Sequence, residues 1–166
     1  MQLLEAWRGD LERTYALFMK FPANEHGFEN DAAGMSGEEF VRYLHALERM
    51  SAGIGIKPTW VPGTKYILVN DDGDYVGIVN LRQRLNDKLR EGAGHIGYGI
   101  APEYRGRGYA TQGLRLVLEK AKALGIDEAY LAVHKDNLAS LAVQRHLGAR
   151  IDHEDDEEYY TRIALG

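Results

Sequence analysis

Two arginines and two glycines alternate in Arg105-Gly106-Arg107-Gly108, directly before a segment with the pattern of a helix. The first N–H groups of a helix have no intrahelical acceptor and carry about half a positive charge, so they attract anions. Glycine at this point lets a phosphate approach the backbone, because it has no Cβ. These residues predict an anion site on the amides of residues 105–110. A solvated basic turn and an arginine-glycine patch that contacts nucleic acid are the two alternatives.

The composition limits which partners fit this segment. The chain has 166 residues, of which 45% are hydrophobic, and this predicts one domain over residues 1–166 with a buried core. The formal net charge of −5 argues against nucleic acid as a partner. The chain has no cysteine, which excludes disulfides, a cysteine nucleophile and a thiolate metal site, and we expect no metal.

The N-terminal sequence and the hydropathy favour a soluble, cytoplasmic protein that binds no membrane. The first residues, MQLLEAWRGD, include charge by the fifth position and lack the apolar run of a signal peptide. No apolar segment approaches the roughly 20 residues that a membrane-spanning helix needs.

Periodic patterns predict the elements that position the glycine-rich segment. Ser36-Gly37-Glu38-Glu39 has the spacing of a capping box at the start of one helix, and Gly125 and Gly148 are placed to end two others. Residues 22–35 and 82–93 are predicted to be connections. Predicted strands are Leu3–Leu4, Tyr66–Asn70, Tyr75–Leu81, Ile96–Ile100, Ala129–Val133 and Tyr159–Leu165, and predicted helices are Leu11–Met19, residues 36–52, residues 109–124 and Asn137–Leu147.

The strand before the glycine-rich segment has one nearly bare face. Ile96, Tyr98 and Ile100 alternate with Gly97 and Gly99, so side chains are expected on one face only. The bare face would leave room for an extended ligand beside the strand. The order of helices and strands predicts an α/β fold, with a mixed sheet and helices on both of its faces.

These motifs resemble those of the GCN5-related N-acetyltransferases, or GNAT family. Arg105-Gly106-Arg107-Gly108-Tyr109-Ala110 matches the family signature (Gln/Arg)-x-x-Gly-x-(Gly/Ala), and NLASLAVQRHLGA is similar to its second cofactor segment. Further upstream, WVPGTKYILV, LRQRLNDKL and GHIGYGIAP look like a subgroup of predicted, uncharacterised acetyltransferases. The resemblance covers about residues 58–150.

The resemblance implies a mostly antiparallel mixed sheet with a V-shaped split between two parallel strands, in which acetyl-coenzyme A lies. The pyrophosphate would rest on the amides of Arg105 to Ala110, and the backbone of Ile100 would bind the pantetheine arm. Asn137 would contact the cofactor near its pantetheine or thioester end. Asn137 also has the residue type of an ordinary helix cap, and the two roles are compatible.

The catalytic residues are harder to predict than the cofactor site. An amine must lose a proton to attack the thioester, and the departing thiolate is helped by an acid. Relatives often use a tyrosine as that acid, and its position here is Gln144. For the base, the family's usual glutamate aligns with Gly94, beside His95. His95 is therefore the first candidate, with a structural or surface histidine as the alternative, and His134 is the second. Tyr98 is either a core residue or a third group whose hydroxyl could reach the cleft.

Three residues on the connection that borders the acceptor side are candidates for substrate binding. Arg82, Arg84 and Asn86 would bind a carboxylate or phosphate, with a solvated loop as the alternative. The acidic run Asp152–Glu158 either attracts a cationic acceptor or is solvated.

The sequence favours an N-acetyltransferase that moves an acetyl group from acetyl-coenzyme A to a primary amine, in a small molecule or peptide, by direct attack in a ternary complex. A non-catalytic acyl-coenzyme-A-binding module is the alternative, and Gln144 keeps it open. An RNA-binding protein is a third hypothesis, which the net charge opposes. Pairing of an exposed C-terminal strand between subunits would give a homodimer.

Overall fold

The computed structural model describes residues 1–166, which form nine strands and five α-helices. In chain order the elements are β1 (Gln2–Glu5), α1 (Leu11–Phe18), β2 (Asn24–Glu25), β3 (Phe28–Glu29), α2 (Gly37–Ser51), β4 (Gly63–Val69), β5 (Tyr75–Arg82), α3 (Asp87–Arg90), β6 (Ile96–Ile100), α4 (Tyr109–Ala123), β7 (Glu128–His134), α5 (Leu138–His146), β8 (Arg150–Glu154) and β9 (Glu158–Ala164).

The first sheet has the strand order β1-β4-β5-β6, and every pair in it is antiparallel. Alternation of side chains gives it two apolar faces. One face carries Leu68 and Val79, which pack with Leu114 and Val117 of α4. The opposite face carries Ile67 and Ile78, which pack with residues from α1 and α2. The expected arrangement, with helices on both faces of the sheet, is confirmed.

The second sheet has the order β7-β9-β8 and meets the first at a single seam. At the seam the His95 N–H donates to the Tyr130 carbonyl over 2.7 Å, and the Tyr130 N–H donates to Nδ1 of His95 over 3.0 Å. Gly94 forms an isolated bridge with Leu131. No ladder joins β6 to β7 beyond this point, so the two strands diverge.

The helix ends follow the predicted capping chemistry. Ser36 caps α2 with a complete capping box, in which Glu39 returns a hydrogen bond to the Ser36 N–H. The Asn137 side chain caps α5, and Gly125 follows α4 with a φ of 82°. None of these helices combines the length and the hydrophobicity needed to cross a lipid bilayer.

Three local predictions need correction. The connection predicted at residues 22–35 contains the short hairpin β2–β3, and the one at 82–93 contains the four-residue helix α3. Strand β8 was not predicted, because all five of its residues are exposed and its sequence, RIDHE, lacks an apolar face. Tertiary pairing with β9 sets this strand.

Gly94 is the residue whose replacement tests the seam. Its φ is +67°, and a Cβ at this position would overlap the carbonyl of Tyr130. We expect Gly94→Ala to lower the free energy of unfolding by at least about 2 kcal/mol more than Gly34→Ala does. Gly34 is the matched control, since its φ is +77° and open space surrounds it. Urea denaturation measures both, and equal losses would contradict a closed seam.

Candidate functional site

A cleft of about 920 Å³ opens where the two sheets diverge. Residues of β6 line one wall, and residues 132–134 of β7 line the other, together with the inner face of α5. Both strands therefore lead from the seam into the cleft in the same chain direction. This is the predicted V-shaped split, and its volume suits a cofactor-sized ligand.

The N-terminus of α4 lies at the wide end of the cleft and carries free backbone donors. The predicted row of amides began at Arg105, but the Arg105 N–H donates to the Pro102 carbonyl over 3.3 Å. The N–H groups of residues 106–111 have no acceptor within the chain, whereas the next one, of Gln112, donates to the Gly108 carbonyl over 3.2 Å. Gly106 and Gly108 have φ values of +75° and +79°, and nothing lies within 4 Å of a Cβ at either position. A 15-residue helix directs its positive end at the same place, so this turn can hold an anion.

The arginines of the turn have other partners. The Arg105 guanidinium donates to Glu25 over 2.8 Å and, through Nε, to the Ile100 carbonyl over 2.9 Å. Arg107 lies over the Tyr104 ring at 5.5 Å and does not line the cleft. The amides are therefore the donors that face the anion site, and Arg105 fixes the turn against β6 and the β2–β3 hairpin.

Strand β6 is an edge strand, and half of its backbone groups face the cleft. The Arg82 N–H donates to the His95 carbonyl, and the Ala101 N–H donates to the Val76 carbonyl. These two bonds determine which residues of β6 direct their backbone groups towards β5. By alternation, the N–H and carbonyl groups of Ile96, Tyr98 and Ile100 face away from β5. The Arg105 side chain donates to the Ile100 carbonyl, so the Ile100 N–H and both backbone groups of Ile96 and Tyr98 are left for an extended ligand.

The two glycines of β6 have different surroundings, which corrects the prediction of one bare face. A Cβ on Gly99 would lie 3.0 Å from Phe21 and 3.3 Å from Phe28, so aromatic rings fill that part of the face. A Cβ on Gly97 would meet only Asn80 Nδ2, at 3.8 Å. Open space on the α1–α2 side of β6 is thus confined to Gly97.

Tyr98 reaches from β6 to α5 at the inner end of the cleft. Its hydroxyl lies 2.8 Å from Ser140 Oγ. Burial raises the pKa of Tyr98, and hydrogen bonds with Ser140 and Gln144 partly oppose this. Gln144 is 1% exposed and accepts a hydrogen bond from Thr161. The position where relatives often have tyrosine therefore holds an amide, and a tyrosine hydroxyl from β6 lies close to it.

Asn137, at the start of α5, lines the cleft and caps the helix at once. Its Oδ1 accepts from the Ser140 N–H over 3.1 Å. Its Nδ2 has no partner within the chain, so this amide nitrogen can donate to a ligand. Capping and ligand binding use different atoms of one side chain.

His95 does not line the cleft. It is 5% exposed and belongs to the seam, where Nδ1 is occupied by the Tyr130 N–H and the ring meets that of Tyr130 edge-on. Burial, and secondarily the charges of Arg162, Arg90 and Arg82, lower the pKa of His95 to about 4. The neutral ring carries its proton on Nε2, because Nδ1 is an acceptor. This geometry gives His95 a structural role in joining the sheets.

His134 does line the cleft, at the end of β7. Its Nε2 lies 3.4 Å from a carboxylate oxygen of Glu158, its partner across the β7–β9 ladder. His134 is thus the predicted base candidate that the fold brings into the cleft. The structure contains no group of three or more histidines and carboxylates that could hold a metal ion.

Of the three residues predicted to bind the acceptor, only one lies in the cleft. Arg82 lines the cleft, whereas Arg84 and Asn86 do not. Asn86 is a structural residue, since it caps α3 and donates to the Thr59 carbonyl over 2.8 Å. Two residues that sequence reasoning missed, Lys65 and Asn80, line the cleft from β4 and β5. Their only sequence signal is a polar residue inside an otherwise apolar strand. Five carboxylates also line the cleft: Glu25, Glu29, Asp31, Glu157 and Glu158.

Comparison with known proteins agrees with this architecture. Residues 3–150 match the family model described as Acetyltransferase (GNAT) domain. A curated relative, the spermidine N(1)-acetyltransferase of Escherichia coli strain K12, is 31% identical over 94 residues, which are 56% of this chain and 49% of that protein. The chain thus spans about half the length of the curated relatives it matches.

Solved structures share the fold at low sequence identity. The ribosomal-protein-S5-alanine acetyltransferase of Vibrio fischeri has a TM-score of 0.69 at 17% identity, covering 99% of this chain and 91% of that one. The spermidine N-acetyltransferase of Vibrio cholerae, in complex with CoA and spermine, has a TM-score of 0.66 at 18% identity, covering 99% of this chain and 95% of that one. A Campylobacter jejuni N-acetyltransferase in complex with acetyl coenzyme A has a TM-score of 0.66 at 16% identity, covering 99% of both chains.

The assignment of His95 to the seam predicts a pH-dependent contribution to stability. Its pKa of about 4 in the folded protein lies below the usual unfolded value of about 6.5, so the unfolded state binds the proton more tightly. The contribution is complete above pH 6.5 and is lost as the pH falls towards 4. We expect the stability difference between wild type and His95→Asn to shrink by about 2–3 kcal/mol over that range.

Urea denaturation at a series of pH values measures this difference. His45→Asn is the control, since His45 is an exposed residue of α2, and the His95→Asn difference should change more with pH than the His45→Asn difference does. A His95→Asn difference that does not change between pH 7 and pH 4 would contradict the seam assignment.

Proposed function

Because the chain belongs to the GNAT acetyltransferase family, we propose that it transfers an acetyl group from acetyl-coenzyme A to a primary amine, by direct attack in a ternary complex. The observation that carries this proposal is the row of free N–H groups at residues 106–111, which open into a cleft between two diverging strands. A cofactor with a pyrophosphate and an extended arm matches both features.

The donor would follow the backbone from the wide end of the cleft to its inner end. Its pyrophosphate would accept hydrogen bonds from the amides of residues 106–111. Its pantetheine arm would pair with the free edge of β6 at Tyr98 and Ile100, and Asn137 Nδ2 would donate to it from the opposite wall. This path brings the thioester to the inner end, beside the Tyr98 hydroxyl.

The reaction replaces the C–S bond of the thioester with a C–N bond and requires two proton transfers. The amine nitrogen attacks the thioester carbonyl carbon, a C–N bond forms, the C–S bond breaks, and the nitrogen loses a proton. We assign the proton on the departing sulfur to Tyr98, whose pKa is raised by burial so that the hydroxyl stays protonated near neutral pH. Ser140, at 2.8 Å, orients this hydroxyl.

We assign removal of the amine proton to His134, directly or through water. Its imidazole lines the cleft, and the Glu158 carboxylate lies 3.4 Å from Nε2, where it can orient the ring. The acceptor class is an amine, in line with the curated relatives that are spermidine N(1)-acetyltransferases.

Binding of the donor is tested at the start of α4. We expect Gly108→Glu to weaken binding of coenzyme A by at least about 100-fold, because a carboxylate would occupy the row of amides that holds the pyrophosphate. The control is Gly125→Glu, at the other end of the same helix, where φ is +82° and a Cβ also meets open space. Titration calorimetry measures both. An unchanged affinity in Gly108→Glu would overturn the assigned site.

Catalysis is tested at the Tyr98 hydroxyl. We expect Tyr98→Phe to lower kcat by about 100-fold or more with little change in the KM for acetyl-coenzyme A, because the phenol acts on the departing sulfur and not in ground-state binding. Tyr43→Phe is the control, since it removes a buried hydroxyl that has no hydrogen-bond partner and lies outside the cleft. The measurement is thiol release from acetyl-coenzyme A in the presence of an amine.

The thiol-release assay also distinguishes an acetyltransferase from the second candidate function. Gln144 in place of a tyrosine is the observation that favours a non-catalytic acyl-coenzyme-A-binding module. Stoichiometric binding of acetyl-coenzyme A, without thiol release above the protein-free rate for any amine of a broad panel, would establish that function instead.

A further inference from the structure

The side of the cleft opposite α4 and α5 contains a buried polar group without a partner. Asn80 lies on β5 beside Gly97 of β6, in the stretch of β6 that carries no side chain. Its Oδ1 is buried and has no hydrogen-bond donor within the chain, although the residue lines the cleft. The atom of this amide nearest Gly97 is Nδ2, so a ligand in the cleft would meet a hydrogen-bond donor at this point.

Two cations lie next to Asn80 on the same face of the sheet. Lys65 is its partner across the β4–β5 ladder, and Arg82 follows two residues later on its own strand. The Lys65 side chain is only 15% exposed, and its ion pair with Asp31 is long, at 3.8 Å. Arg82 donates to the Gly94 carbonyl over 3.2 Å but forms no ion pair within the chain.

The positive charge of this region is buried, and the negative charge lies at its rim. Burial lowers the pKa of both Lys65 and Arg82. The facing carboxylates, Glu29 and Asp31, are exposed, and the Asp31 side chain is 64% accessible. An acceptor with only positive charges would meet two buried cations of the same sign, whereas an acceptor with an anionic group would compensate them.

We propose that Asn80, Lys65 and Arg82 form an acceptor subsite for a primary amine that also carries an anionic group, a carboxylate or a phosphate. Asn80 Nδ2 donates to the anionic group, and the absence of a side chain at Gly97 leaves the amine a path to the thioester. Lys65 and Arg82 bind the anionic group. Directly opposed and diagonal Cβ atoms of neighbouring strands lie about 5–8 Å apart, so one anionic group can contact these side chains together. This assignment rests on the proposed function and names its acceptor class.

Matched pairs of acceptors test the subsite on the wild-type protein. A short amino carboxylate is compared with its own amide, an aminoalkyl phosphate with the corresponding amino alcohol, and spermidine serves as the purely cationic acceptor. We expect kcat/KM from thiol release to be at least about tenfold higher for one anionic member than for its neutral partner and for spermidine. The pair with the larger ratio identifies carboxylate or phosphate. Equal values within both pairs, or a preference for spermidine, would overturn the subsite.

A charge-removing variant ties the preference to these residues. Lys65→Met keeps the length of the side chain and removes its charge. We expect it to raise the KM for the anionic acceptor by about tenfold or more, while the KM for the neutral partner and the affinity for coenzyme A stay within about twofold. Lys122→Met, on the exposed surface of α4 outside the cleft, is the control. An equal rise in KM for both members of the pair would exclude recognition of the anion by Lys65.

A binding measurement keeps this test separate from that of the proposed function. Calorimetric titration of the same pairs into protein saturated with coenzyme A reports acceptor binding without turnover. Tighter binding of the anionic member supports the subsite even if no thiol is released, and equal binding overturns it. Failure to bind coenzyme A would instead overturn the donor site at α4.

Discussion

The two sheets of this molecule are joined by a single seam, and the cleft exists because the pairing stops there. His95 and Tyr130 share two hydrogen bonds, and Gly94 approaches the backbone at Leu131 closely enough to exclude a side chain. Arg162 lies over the Tyr130 ring at 3.6 Å and closes the seam from β9. Beyond these contacts, β6 and β7 diverge, so both present unpaired backbone edges to the same space. The dimensions of the cleft depend on these few residues.

The first sheet separates the two halves of the site. Tyr98 of β6 points towards α4 and α5, and it lies on the same side of the sheet as Asn137 and the free amides of residues 106–111. Residues that point towards α1 and α2, such as Asn80, accompany Lys65. Because adjacent residues of a strand alternate between faces, Gly97 and Tyr98 place the two proposed substrates on opposite sides of one backbone.

The sequence predicted those parts of the fold whose signals are local. The capping box at Ser36, the glycines that end α4 and α5, and the apolar periods of the main strands all depend on neighbours in the chain, and these predictions were confirmed. The family signature likewise predicted the turn before α4. At these positions the residue types of one short stretch determine the conformation of its own backbone.

The remaining features depend on contacts between distant segments, which a single sequence does not show. Phe21 and Phe28 fill the face of Gly99, although nothing near residue 99 indicates it. His95 has the chemistry of a base, but pairing with Tyr130, 35 residues away, makes it part of the seam. Lys65 and Asn80 look like irregular polar positions in apolar strands until β4, β5 and β6 are aligned.

The free amides at the start of α4 bear on how such a protein can diverge. A backbone N–H group is the same in every residue except proline, so most single substitutions between residues 106 and 111 leave the row of donors unchanged, apart from those at the glycines with positive φ. Lys65, Asn80 and Arg82, by contrast, would recognise their ligand through side chains, and one codon change alters each. A lineage built on this fold can therefore exchange one acceptor for another while its donor stays fixed.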